Sequence, residues 1–196
     1  MTIGVLALQG DFEEHINKLS GMSVPTREVR LPADLDGLAG LILPGGETTT
    51  LRKLASAYGL IGPLCDFGTH RALWGTCAGA IALARDLGGE EPVLGLMDMA
   101  VRRNSFGRQV DSFEIDLDIP ALPSGNHRPP PTFHAVFIRA PSIQSVGRGV
   151  EILARLPEGT IVAARQGMWL ATCFHPELAD DDRWHRLFLD MCSTAG

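Results

Sequence analysis

The run Ala72-Leu73-Trp74-Gly75-Thr76-Cys77-Ala78-Gly79-Ala80 restricts the fold of this chain more than any other stretch. Glycine stands two residues either side of Cys77, the spacing of the G-x-S-x-G nucleophile elbow with sulfur in place of oxygen. The apolar residues 72–74 read as a buried strand, and residues 80–87 read as a helix. A side chain at such a junction stands on a tight, strained turn, and glycine at both flanks removes Cβ atoms that would collide there. The helix N-terminus brings unpaired N–H groups and partial positive charge beside the sulfur, which suits a reacting thiol. A lone cysteine near loop glycines is more often a small buried residue. The strand–glycine–cysteine–glycine–helix order favours the nucleophile instead.

Strands and helices alternate through the first half. Residues 3–8 are a continuous apolar run, hence a buried strand. Asp11 is placed to cap the following helix, whose Phe12, His15, Ile16 and Leu19 fall at helical spacing. Residues 24–31 read as a more exposed strand, and residues 41–43 as a third, ended by Pro44-Gly45-Gly46. Residues 48–58 read as a helix. This order predicts a three-layer α/β fold, with a mainly parallel central sheet flanked by helices.

In the second half, residues 94–101, 113–119, 135–138, 150–156, 161–165 and 169–174 read as strands. Their short Gly- and Pro-bearing linkers predict antiparallel additions to the sheet or a side hairpin. Residues 184–191 form a closing amphipathic helix, and residues 120–132, with three consecutive prolines, a surface loop.

A length of 196 residues is most simply one domain, 1–196. The formal net charge of −6 argues against nucleic acid or an anionic membrane surface as the main partner. No segment approaches the roughly 20 apolar residues of a membrane span, and residues 3–8 lack a signal peptide's basic flank, so the expected location is cytoplasmic. Cys65, Cys77, Cys173 and Cys192 are scattered without C-x-x-C spacing, which argues against a zinc site or a disulfide framework.

Three further motifs bear on chemistry. His175-Pro176-Glu177 follows the apolar run that ends at Phe174, on the strand edge where open α/β sheets place their sites. Glu177 can accept from one imidazole nitrogen while the other faces a thiol, the nucleophile–base–orienter arrangement. A turn histidine beside a solvated glutamate is the plainer alternative. Pro44-Gly45-Gly46-Glu47-Thr48 opens a helix, and its glycines let backbone N–H groups converge on an anion or oxyanion. The lysine of a phosphate loop is missing. The basic stretch 102–109 is either a solvated hairpin or a grip for a substrate carboxylate.

Taken together these segments resemble the class I glutamine amidotransferases, and within them the glutaminase subunits of pyridoxal 5′-phosphate synthase. The elbow marks only the superfamily. The narrower resemblance rests on Arg103-Asn104-Ser105-Phe106-Gly107-Arg108-Gln109-Val110-Asp111-Ser112-Phe113 and Phe137-Ile138-Arg139-Ala140-Pro141. It implies that Cys77 attacks the carboxamide of L-glutamine and that His175, oriented by Glu177, moves the protons. It implies an oxyanion hole from the N–H groups of Gly46 and Ala78, and substrate contacts from Gly46, Glu47, Thr48, Arg103, Ile138 and Arg139. It implies neither metal nor organic cofactor for this half-reaction. It also implies docking to a (β/α)8-barrel synthase subunit in a hetero-oligomer, which arranges the oxyanion hole and takes up the ammonia.

Thr48 departs from the serine usual after Gly-Gly-Glu, and the loop 124–132 is longer than usual. The competing readings are a cysteine peptidase or small-molecule hydrolase on a related fold, and a non-catalytic binding module.

Overall fold

The computed structural model describes residues 1–103, 112–122 and 132–194. Strand β1 (Ile3–Leu6) is apolar and buried at every position, as a strand covered on both faces must be. Helix α1 (Phe12–Gly21) leads to β2 (Thr26–Val29), and a 3-10 turn leads on to β3 (Gly40–Leu43). Helices α2 (Thr48–Ala57) and α3 (Ile61–His70) precede β4 (Ala72–Thr76), and the short α4 (Ala78–Leu83) follows it. Then come β5 (Ala84–Asp86), β6 (Met97–Arg102), β7 (Ser112–Leu117), β8 (Phe133–Ile138), β9 (Ser142–Val146), β10 (Glu151–Arg155), β11 (Ile161–Gln166) and β12 (Trp169–Thr172), with α5 (Arg183–Thr194) last.

The main sheet runs β2-β1-β3-β4-β12-β11-β9-β6-β5, with β10 paired to β11. Its first five strands are mutually parallel, whereas β12, β11, β9 and β6 pair antiparallel in turn. Strands β7 and β8 form a separate antiparallel pair, the side hairpin expected from the linkers. Successive strand residues face opposite sides of a sheet, and β4 uses this directly. Trp74 packs against His15 of α1 and against His185 and Phe188 of α5. Its neighbour Leu73 lies against Gly68 of α3, where a Cβ would fall 2.6 Å from Leu73 Cδ1. Helices therefore cover both faces, as the strand–helix alternation predicts.

The structure departs from the sequence reading after the elbow. The helix predicted at 80–87 begins at Ala78 and ends at Leu83, and Ala84–Asp86 pairs in parallel with β6. Every residue of α4 is buried, so its sequence has no polar face to mark where it stops. Periodicity is silent in such a segment, and sheet pairing decides its end. Strand β9 escaped the sequence reading for a related reason, since its five residues mix apolar and polar types without a clean alternation. Most of the loop 120–132 lies outside the described residues. Among those described, no helix is long and apolar enough to cross a membrane.

Two histidines are fully enclosed between α1, α5 and β4. His15 Nδ1 and His185 Nε2 lie 3.1 Å apart, and both rings contact the Trp74 indole edgewise. Burial holds both below the ordinary histidine value, His185 down to about 3. Each is thus uncharged in the folded protein near neutrality, whereas the unfolded chain takes up protons below about pH 6.5. Stability contributed by these groups is complete above that pH and is lost as the pH falls toward the folded value. Denaturant titrations from pH 7 to pH 5 should show His185 costing about 1.4 kcal/mol per unit below pH 6.5, a slope that His185→Phe reduces. An unchanged slope in that variant would refute the assignment.

Candidate functional site

Cys77 occupies the junction of β4 and α4 with φ 46° and ψ −102°, a conformation that non-glycine residues rarely adopt. Its backbone is held on both sides: the N–H donates to Thr172 O at 2.8 Å, and the carbonyl accepts from Ile81 N at 3.3 Å. Close packing accounts for the flanking glycines. A Cβ at Gly75 would lie 2.4 Å from the Gly79 carbonyl, and one at Gly79 would lie 1.9 Å from Leu43 O. Both contacts are with backbone, which cannot swing aside. The Cys77 side chain is nearly enclosed, and its thiol points toward Ile138 O at 3.9 Å.

His175 follows β12, the neighbour of β4, and its N–H donates to Val136 O at 2.9 Å, tying the side hairpin to the site. Pro176 opens the one-turn helix Pro176–Leu178, which turns Glu177 back toward the ring. Imidazole Nδ1 then lies 2.7 Å from Glu177 Oε1, in a contact buried on both sides. The opposite nitrogen, Nε2, is buried without a partner of hydrogen-bond geometry. Cys77 is nevertheless close enough to raise the proton affinity of the ring. Such loose contacts are common in catalytic groups before substrate binds.

Sequence reading placed Asp11 as the cap of α1, and the structure corrects this. Asp11 occupies the N-cap position but makes no side-chain capping bond. Its Oδ2 lies 3.4 Å from His175 Nδ1 instead, as a second carboxylate on the same nitrogen. That contact lowers the Asp11 carboxyl below its usual value. Burial alone would depress His175, but its neighbours Asp11, Cys77 and Glu177 together outweigh it and hold the imidazole well above its ordinary value. Glu177 is pushed up by its burial and drawn partly back by His175.

The glycine loop after β3 borders the same imidazole. A Cβ at Gly45 would meet His175 Cε1 at 2.5 Å and Asp11 Oδ2 at 2.9 Å. Gly46 has φ +134°, open to glycine alone in practice. Gln9, in the turn after β1, braces this loop: its Nε2 donates to Gly45 O at 3.3 Å, and its Oε1 accepts from Glu47 N at 2.7 Å. Sequence reading assigned Gln9 no role. An amide side chain immediately after an apolar strand was the available signal.

The remaining expected substrate residues are placed less uniformly. Glu47 caps α2, accepting from Thr49 N at 2.9 Å and Thr50 N at 2.6 Å, and these bonds hold its carboxyl down to about 2. Thr48 is buried at the start of α2, and Ala78 opens α4 directly after Cys77. Ile138 ends β8 with its carbonyl toward Cys77, and Arg139 follows with φ 42°. Arg103 Nη2 pairs with Glu90 Oε2 at 3.0 Å, so the structure commits this guanidinium to a carboxylate of the chain itself. The rest of the basic stretch, 104–109, lies outside the described residues.

Asp11, His175 and Glu177 also place one potential metal-ligand atom each within 4.8 Å of one another. Two carboxylates around one imidazole nitrogen hold a proton as readily as a cation. The other cysteines are free thiols. Burial pushes Cys65 and Cys173 up and Cys192 up to about 12, so they persist as small neutral side chains. Given the 1.9 Å approach of Leu43 O, Gly79→Ala should destabilise the protein by more than about 3 kcal/mol in urea titrations. A loss below about 1 kcal/mol would contradict the packing described here.

Comparison with known proteins places this site in context. Proteins named pyridoxal 5′-phosphate synthase subunit PdxT are similar along nearly the whole chain. The one from Dehalococcoides mccartyi is 52% identical over 195 residues, covering 97% of each chain. The one from Deinococcus radiodurans is 54% identical over 198 residues, again covering 97% of each. A solved structure described as a glutamine amidotransferase superposes with a TM-score of 0.89 at 48% identity, covering 97% of this chain and 98% of the other. The family model of the SNO glutamine amidotransferases matches residues 5–194, and this chain belongs to that family.

Proposed function

We propose that the protein is a glutaminase, hydrolysing L-glutamine to L-glutamate and ammonia through Cys77, His175 and Glu177, and that it passes the ammonia to a synthase subunit making pyridoxal 5′-phosphate. The observation that carries this reading is the buried imidazole of His175, held by Glu177 at 2.7 Å on Nδ1 and with its proton affinity raised by Cys77 among its neighbours. Family membership and the names of the PdxT relatives support the substrate and the product pathway.

In this mechanism the Cys77 thiolate attacks the side-chain carboxamide carbon, and the carbonyl electrons move onto oxygen. Backbone N–H groups of Gly46 and Ala78 stabilise that oxyanion as it forms. The His175 imidazolium gives its proton to the leaving amine, ammonia departs, and a glutamyl thioester remains. The neutral imidazole then takes a proton from water, which attacks the thioester and releases glutamate and the thiolate. Glu177 keeps the imidazole oriented and balances its charge in both halves. Gly46, Glu47, Thr48, Arg103, Ile138 and Arg139 are the proposed substrate contacts. For Arg103 to grip the α-carboxylate, its guanidinium must exchange Glu90 for substrate.

Free ammonia near neutral pH is mostly ammonium, which is not a nucleophile. A sheltered path to a docked partner meets that constraint, and the family resemblance supports a (β/α)8-barrel synthase subunit as that partner. Cys77→Ala should lower glutamate release by at least about 10³-fold, while the complex still makes pyridoxal phosphate from added ammonium salts. Synthesis from glutamine in that variant would refute the nucleophile. Arg103→Ala should raise KM for glutamine with little change in kcat, and an unaltered KM would remove Arg103 from the substrate contacts.

A further inference from the structure

Glu177 offers two oxygens, and His175 uses one. The second, Oε2, is buried and has no hydrogen bond of good geometry, but His15 Nε2 approaches it to 3.3 Å. His15 comes from α1, more than 150 residues earlier in the chain, and neither its ring nor the Glu177 side chain is exposed to solvent. The same Nε2 lies 3.3 Å from Thr76 Oγ1, at the end of β4 beside Cys77. Beyond it, His15 Nδ1 meets His185 Nε2 of α5 at 3.1 Å. We infer that His15, backed by His185, is a positioning residue of the site: it donates to the free oxygen of Glu177 and so fixes the carboxylate that orients His175.

The donor direction follows from chemistry. A carboxylate only accepts, so the proton between His15 and Glu177 sits on His15 Nε2. A neutral imidazole carries one N–H, so His15 Nδ1 is an acceptor and must receive from His185 Nε2–H. His185 Nδ1 is then left as a bare acceptor, and it is indeed buried without a partner. A single chain of donation results, from His185 to His15 to Glu177, with the His175 N–H on the other carboxylate oxygen. Burial keeps both outer histidines neutral, which this direction requires. Deprived of the His15 donor, Glu177 in a dry site would take a larger share of the His175 proton. The positive charge beside Cys77 would diminish.

The groups that bear on this chain come from every neighbouring element. Glu177 and His175 follow β12, Asp11 precedes α1, and Thr76 belongs to β4. Lys18 of α1 and Asp182 before α5 act on His185 in opposite directions.

The inference deepens the glutaminase reading and rests on it for its kinetic arm only. His15→Leu and His15→Gln would be compared with wild type in the full chain bound to its synthase partner. Glutamine keeps an N–H near the position of Nε2, whereas leucine does not. Expected for His15→Leu is a fall in kcat of about tenfold or more, with KM for glutamine within about twofold. His15→Gln should recover most of kcat. In parallel, alkylation of Cys77 by iodoacetamide would be followed against pH by mass spectrometry of its peptide. Its midpoint should rise by about half a unit or more in His15→Leu and stay at the wild-type value in His15→Gln.

His185→Phe, which preserves a ring against Trp74, should shift both readouts in the same direction by less, and it carries the test if His15→Leu does not fold. Wild-type kcat and midpoint in His15→Leu, or equal impairment of the Leu and Gln variants, would overturn the inference. Absence of glutamate release from the wild-type complex would refute the glutaminase reading, and the alkylation arm would still decide the role of His15.

Discussion

A left-handed backbone at Cys77 is the constraint around which this structure is organised. Strain of that kind persists only where the surroundings over-determine it. Here the surroundings are backbone: Leu43 O against Gly79, the Gly79 carbonyl against Gly75, and Thr172 O receiving the Cys77 N–H. Strand order supplies these neighbours, because β4 lies between β3 and β12. The three strands are parallel, so their carboxyl ends share one edge of the sheet. The glycine loop after β3, the elbow after β4 and His175 after β12 therefore converge without any long excursion of chain. Ligand sites of open α/β sheets form at this edge for the same topological reason.

Electrostatics completes what topology begins. One imidazole nitrogen faces two carboxylates, Glu177 buried beneath it and Asp11 nearer the surface. Enclosure makes the Glu177 contact rigid and weakly screened, while neutral histidines behind it add donors without adding charge. Buried polar contacts run from Glu177 to His15 and on to His185 of α5. Gln9 performs a comparable service on the other side, fixing the glycine loop through both ends of its amide.

Much of this was legible in the sequence because it depends on local chemistry. The G-x-C-x-G spacing announced a turn that only glycine flanks tolerate. Continuous apolar runs at 3–8 and 41–43 marked strands covered on both faces, and a histidine after the run ending at Phe174 marked a strand-end site. What failed to show had local sequence consistent with two outcomes. Residues 80–87 are almost wholly apolar through position 84, so nothing in them distinguishes the end of α4 from the start of β5. Asp11 has the side chain and the position of a helix cap, and only the arrival of His175 from the far end of the chain diverts it. Glu47, singled out as a substrate contact, also caps α2.

The sequence by itself determined the α/β class and the elbow, and it singled out Cys77, His175 and Glu177 as candidates, because each follows from residue type at short spacing. Only the tertiary structure decided which groups surround the imidazole. Asp11 reaches it from just before the first helix, His15 of that helix meets Glu177 behind it, His185 of the last helix meets His15, and Arg103 turns to Glu90. These are contacts between segments far apart in the chain, selected by packing and by the need to pair buried polar atoms. No local pattern of residues carries that information.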